Sequence, residues 1–159
     1  MRTRIWKTLA MAALVGAVGL TGCQSGSSDD EPEAKKTFLA EPVAIVEKVD
    51  GDSPALKTIS WTHVQTQGEY ADLGDPNIFP GEIDFDTYDL VVVALGEQPT
   101  GGYAITIESL QLTGGELAIS GKVTTPAPDA AVTQALTYPY SAALIANTQA
   151  SSVVPYIED

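Results

Sequence analysis

The residues of this 159-residue chain whose types could do chemistry are one histidine, one cysteine, a tight group of acids and a glycine-rich loop. His63 has Ser60 and Thr62 beside it. An imidazole can take a proton from a hydroxyl, but a Ser-His-Asp site also needs an acid to orient the ring and donors for the oxyanion. Neighbours in sequence do not supply that geometry, so His63 is expected to be a partly exposed structural residue. Glu82, Asp84, Asp86 and Asp89 could hold calcium, a hard ion satisfied by carboxylates. Their spacing matches no EF-hand loop, which needs a glycine at its sixth position. A solvated strand edge is the simpler expectation. Nor do these acids define a glycosidase pair, which requires a fixed separation across a cleft.

The fourth feature is Gly96 to Tyr103, carrying Pro99, Thr100, Gly101, Gly102 and Tyr103. Its glycines superficially suggest a phosphate loop, but the Gly-Lys-Ser/Thr ending is missing and no basic residue lies nearby. Pro99 fixes one φ angle, and the glycines open conformations closed to other residues. What remains is a rigid exposed loop, either a contact surface for a protein partner or a plain turn.

Cys23 ends a different kind of segment. Arg2, Arg4 and Lys7 form a basic start, and Leu9 to Leu20 is an apolar run. That run is shorter than the roughly 20 residues needed to span a bilayer. Leu20-Thr21-Gly22-Cys23 resembles the lipobox read by lipoprotein signal peptidase, with the Cys23 thiol taking the diacylglyceryl group. Residues 1–22 are therefore expected to be a cleaved signal peptide, and Cys23 the lipid attachment site that holds the protein to a membrane surface. Gln24 and Ser25 include no Asp of the kind that resembles an inner-membrane retention signal. The expected location is the cell envelope, with the outer membrane favoured where the cell has two.

With its only cysteine lipidated, the mature chain forms no intramolecular disulfide. Zinc sites draw on His and Cys, which leaves His63 alone. No metal, cofactor or catalytic residue is assigned, and the chain is not expected to be an enzyme. Net charge is −13, and loss of the leader removes three of the eight basic residues while all 21 acids stay. So few lysines cannot build a nucleic-acid-binding face. The acidity suits solubility and resistance to self-association.

The elements that must position these residues follow from patterning. Residues 23–40 are mostly small, polar and charged, a flexible tether with a reach of roughly 20–25 Å. Residues 41–159 are expected to form one domain, since 44% hydrophobic and 18% charged residues are globular in composition. Val43, Ile45 and Val49 share a parity and predict a first strand, closed by a turn at residues 50–54. Thr62 and Gln65 have capping-box spacing, which predicts a short helix around residues 61–71. Tyr88 to Leu95 is largely apolar on both faces, as in a central strand covered on each side.

The loop after it reads as the connection of a β-hairpin with Ala104-Ile105-Thr106-Ile107. Gly114-Gly115 signals a second, two-residue hairpin, pairing Leu112 with Leu117 and Leu110 with Ile119. Tyr103, Ile105 and Ile107 have the opposite parity from Leu110 and Leu112. A β-bulge at Glu108-Ser109 restores all of them to one buried face and sets Ile107 opposite Gly121. Val132–Leu136 and Tyr140–Ile145 are expected to complete a mainly β fold, a single antiparallel sandwich or Ig-like domain with at most one short helix.

At the glycine-rich loop the sequence resembles the PrcB family, named for a lipoprotein subunit of a cell-surface protease complex. The matching residues are Asp84-Phe85, Leu95-Gly96, Pro99-Thr100-Gly101-Gly102-Tyr103, Ile105 and Ile107, then Gln134-Ala135-Leu136-Thr137 and Pro139-Tyr140. The resemblance spans residues 83–146 and implies a non-catalytic role, binding or supporting an exported protease. The same loop is more faintly similar to the Pro-Thr-Thr-Gly-aromatic loop of chagasin-type protease inhibitors, with Gly101 where that motif has its second Thr. Three readings stand: an accessory subunit, an inhibitor, and a structural envelope lipoprotein.

Overall fold

The computed structural model describes residues 39–158, so the expected signal peptide, the expected lipid site Cys23 and nearly all of the expected tether lie outside them. Two four-stranded sheets make up the fold of the described residues. The first contains β1 (Glu41–Val43), β5 (Ala104–Thr113), β6 (Glu116–Thr124) and β8 (Ser152–Glu158), in the order β1-β5-β6-β8. The second contains β2 (Ile45–Asp52), β3 (Ile59–Val64), β4 (Tyr88–Leu95) and β7 (Pro139–Ala146), in the order β2-β7-β4-β3. This is the mainly β, sandwich-like architecture the patterning predicts, with one parallel pair, β6 with β8.

The second sheet is covered on both faces because its central strands are apolar on both. Val91, Val93, Ala143 and Ile145 pack with Ile105, Ile107, Leu110, Leu117 and Ile119 of the first sheet. Leu90, Val92, Ala94, Ala142 and Leu144 point the other way, against Leu56, Tyr70, Ile78, Phe79 and Ile83. That outer cover includes α1 (Gln67–Asp72) and the loop that follows it. Each large aliphatic side chain taken fully from water contributes about 1.5–3 kcal/mol, so both faces hold the sheet in place.

The predicted bulge is present. The β5–β6 register shifts between Ile107 and Ser109, with Ile107 opposite Gly121, Leu110 opposite Ile119 and Leu112 opposite Leu117. Gly121 is needed there because the Trp61 indole lies only 3.0 Å from where a Cβ would stand.

Other expectations need correction. The first predicted strand is two: β1 and β2 join different sheets, and the chain crosses at Ala44. Asp50, Gly51 and Asp52 continue β2, and the turn comes later, where Leu56 N–H donates to Ser53 O at 3.0 Å. Residues 61–64 belong to β3, and the helix begins only at Gln67. The working cap is Thr66, whose hydroxyl accepts from Glu69 N–H, while Glu69 accepts from Gln65 N–H at 2.7 Å. This Thr-x-x-Glu box replaces the expected one at Thr62 and Gln65.

Val132–Leu136 form no strand, whereas the strand expected over Tyr140–Ile145 is present as β7, one residue longer at each end. β8 has no counterpart in the sequence reading. Most consequential, β4 and β5 are not a hairpin, because they lie in different sheets. The glycine-rich loop is the crossover between them.

Among the described residues the first half of β5 has no strand on its outer side, since β1 pairs only with Leu110 to Leu112. Side chains of the second sheet serve that free edge instead. Ser141 Oγ accepts from Ile107 N–H at 3.1 Å, and Lys48 Nζ donates to Ile107 O at 3.2 Å. Ser141 also donates to Asp50 at 2.5 Å, and Asp50 accepts from Thr106 at 3.0 Å. This chain of polar groups fastens one sheet to the other, with Ser141 fully buried at its centre.

Candidate functional site

The crossover loop is not an isolated turn. Gln98 N–H donates to Thr137 O at 2.8 Å, and Thr137 N–H returns a bond to Gln98 O at 3.0 Å. The β4–β7 ladder runs to the pair Ala94–Tyr140. Kept in register it would set Gln98 opposite Leu136, yet Gln98 bridges Thr137. One extra residue has therefore entered on the β4 side. Gly96, at φ 72°, is suited to that bulge, and a Cβ on it would stand 2.9 Å from the backbone nitrogen of Ile59.

Beyond the bulge the two loops form a short ribbon. The Gln98–Thr137 pair turns its side chains inward, with Gln98 Nε2 donating to Leu95 O at 3.1 Å and Thr137 Oγ1 to Thr100 O at 2.8 Å. Neighbouring pairs on an antiparallel ribbon face the other way. Glu97 thus lies across from Tyr138, whose hydroxyl donates to its carboxylate at 2.9 Å. The same alternation, continued past the bridge, sets Pro99 across from Leu136, and both are exposed, Leu136 by 56%. The ribbon is tied to the β2–β3 connection through Glu97 N–H to Lys57 O at 3.1 Å and Ser53 N–H to Tyr138 O at 3.0 Å.

The paired glycines serve packing within this ribbon. Gly101 N–H donates to Thr133 O at 3.0 Å, and the Thr133 hydroxyl fills the space a Gly101 Cβ would need. Gly102 has φ 89°, and a Cβ there would lie 3.0 Å from both Pro126 and Val132. The Gly101 N–H is thereby committed inside the protein. Outward presentation falls to Pro99, Leu136 and the Glu97–Tyr138 pair, with Thr100 and Tyr103 half-buried. Sequence reasoning finds the Pro99–Tyr103 loop but misses Glu97, Leu136 and Tyr138 as its companions. The available signal is a leucine beside Thr137, hidden when Val132–Leu136 is read as a strand.

The remaining chemistry-bearing residues fall into two places. Asp84 is a turn-former, accepting from Asp86 N–H at 3.1 Å and Thr87 Oγ1 at 2.8 Å, and Glu82, Asp84 and Asp86 sit on a loop rather than a strand edge. Asp89 leaves that cluster altogether. It is fully buried, and its Oδ2 lies 2.9 Å from His63 Nε2 and accepts from Thr148 N–H and Oγ1 at 2.8 and 3.0 Å.

His63 is intermediate in exposure as a residue, while its side chain is only 6% exposed. Thr148 and Asp89 both approach the same ring nitrogen, Nε2. A catalytic triad needs the hydroxyl and the carboxylate on opposite nitrogens of the ring, so this arrangement serves to join β3, β4 and the segment after β7. Among the described residues no three His, Cys, Asp or Glu side chains are grouped as metal ligands.

Residues 90–146 match the family model described as PrcB C-terminal, which supports membership in the PrcB family. The matched segment runs from β4 to β7 and contains both sides of the ribbon. No curated protein and no solved structure matches the chain.

Proposed function

We propose that this chain, on the strength of its PrcB-type segment, is a non-catalytic envelope lipoprotein that binds a protein, as an accessory subunit of an exported protease complex. The observation that carries the reading is the ribbon itself. The two stretches that the sequence shares with the family, Pro99–Tyr103 and Gln134–Tyr140, are the two sides of one hydrogen-bonded ribbon, with Pro99 and Leu136 exposed. A rigid loop pair presents contacts with little entropy left to lose on binding, and exposed apolar side chains there favour a protein partner. Cys23 carries the lipid and residues 24–40 the reach from the membrane.

The test uses the lipidated chain in its own envelope. Affinity-tagged protein is expected to co-purify with a protease, identified by an active-site-directed label. Leu136→Asp is expected to lose the protease while the protein stays folded and membrane-bound. Retention of the protease by Leu136→Asp overturns the assignment to this ribbon. If added protein suppresses the protease's activity, the inhibitor reading replaces the accessory one.

A further inference from the structure

The outward face of the ribbon combines an apolar pair with a carboxylate that no described lysine contacts as an ion pair. Glu97 and Tyr138 flank the Gln98–Thr137 bridge on one side and Pro99 and Leu136 on the other, and the alternation of an antiparallel pair turns all four to the face opposite Gln98 and Thr137. Glu97 is exposed and receives the Tyr138 hydroxyl on Oε2. Among the described residues no lysine forms an ion pair with it, the one close acid–base contact being His63 with Asp89. Asp52 adds a second carboxylate beside the ribbon, accepting from Tyr138 N–H at 2.5 Å. The Tyr138 phenol is pushed above its ordinary value, first by the hydrogen bond to Glu97, then by burial and the charges of Glu97 and Asp52. Two carboxylates, Glu97 and Asp52, therefore stand beside an exposed apolar pair and a tyrosine ring.

We infer that this face seats a protein segment in which an apolar side chain lies beside an arginine, the apolar group resting on Pro99 and Leu136 and the guanidinium meeting Glu97. Arginine fits better than lysine, because its planar fork can pair with the free carboxylate oxygen while its flat surface lies against the Tyr138 ring. The inference rests on the accessory reading above and adds to it the chemistry of the partner. Electrostatic complementarity of this kind sets partner choice and encounter rate as well as affinity.

A matched pair of extended peptides tests it, each with one leucine beside one arginine or beside citrulline, the neutral shape mimic. Binding to the isotope-labelled full chain is followed through the backbone amides of Gln98 and Thr137. The arginine peptide is expected to shift both and to bind about tenfold more tightly than the citrulline peptide. The preference should shrink as ionic strength rises from roughly 0.01 M to roughly 0.15 M. Glu97→Gln should abolish the preference without moving the amides of β4 in the free protein. Equal binding of the two peptides, a preference that survives Glu97→Gln, or an absence of shifts at Gln98 and Thr137 overturns the inference. Protease capture that depends on Leu136 but not on Glu97 also sinks it, while leaving the accessory function standing.

Discussion

Gly101 and Thr133 lie so close that a side chain at Gly101 has no room while the Thr133 hydroxyl is present: the Gly101 N–H bonds to Thr133 O at 3.0 Å, and that hydroxyl occupies the site of a Cβ. Gly101→Ala is expected to cost about 1–3 kcal/mol through overpacking. Thr133→Ala removes the obstructing oxygen and leaves its own Cβ 3.6 Å away, an ordinary contact. The double variant should therefore recover most of the loss. Urea unfolding of the four proteins of the cycle measures the coupling, and simple additivity would contradict the packing account.

Ser141 is the joint between the sheets. Ser141→Ala leaves the buried Ile107 N–H without its acceptor and Asp50 without its closest donor. A loss of about 1–3 kcal/mol is expected in chemical denaturation. Amide hydrogen exchange at Ile107 should accelerate more than at Leu110, which sits where β5 is flanked by β1.

Asp89 Oδ2 accepts from two Thr148 donors and lies against His63 Nε2, while its Oδ1 has no partner among the described residues. Asp89→Ala is expected to destabilise by about 2–3 kcal/mol, because the part-buried Thr148 N–H and hydroxyl lose their acceptor and His63 Nε2 its partner. Asp84→Ala, on an exposed turn, should cost less than half as much. Thermal unfolding of both variants distinguishes a buried anchor from a surface acid.

The Asp75 carboxyl is held below its ordinary value, first by the Ser53 hydroxyl at 2.6 Å and next by the Asn77 N–H at 2.9 Å. A lowered folded-state value means the unfolded chain binds the proton more readily. The stabilisation is therefore present above the unfolded value, about 3.9, and is lost as pH falls through the folded one. Asp75→Asn should flatten the acid limb of the stability profile below about pH 4 and leave its slope unchanged between about pH 6 and about pH 8. An unchanged acid limb would show that Ser53–Asp75 contributes nothing.

Much of the fold is legible where hydrophobic parity carries the information. Ile107 and Leu110 disagree in phase while Leu117, Ile119 and Val123 do not, and that mismatch locates the bulge and its partner Gly121. Parity along one strand cannot say which sheet the strand joins. For that reason Val43 and Ile45 read as one strand, and Leu95 to Ala104 as a hairpin. The helix start is misplaced because Thr62-Gln65 and Thr66-Glu69 both have capping spacing, and only the packing of Trp61 and Val64 within β3 selects between them. Half of the candidate site is visible in Pro99–Tyr103. Its other half depends on the pairing of Gln98 with Thr137, a contact between residues far apart in sequence that no local pattern encodes.

The alternation of strands between the two sheets governs the order in which this protein can assemble. Asp50 finds Ser141 across 91 positions of chain, and β1 finds β5 with β2, β3 and β4 in between. Neither sheet can close its set of strands from one continuous portion, since the first sheet waits for β8 and the second for β7. Non-local pairing of this kind slows folding and exposes strand edges meanwhile. The segment from residue 90 to 146 holds the interior strands of both sheets but none of their four edges, β1, β8, β2 and β3. It is a centre that needs both flanks to become a domain, and a newly made chain would stay unfinished until its last strand arrived.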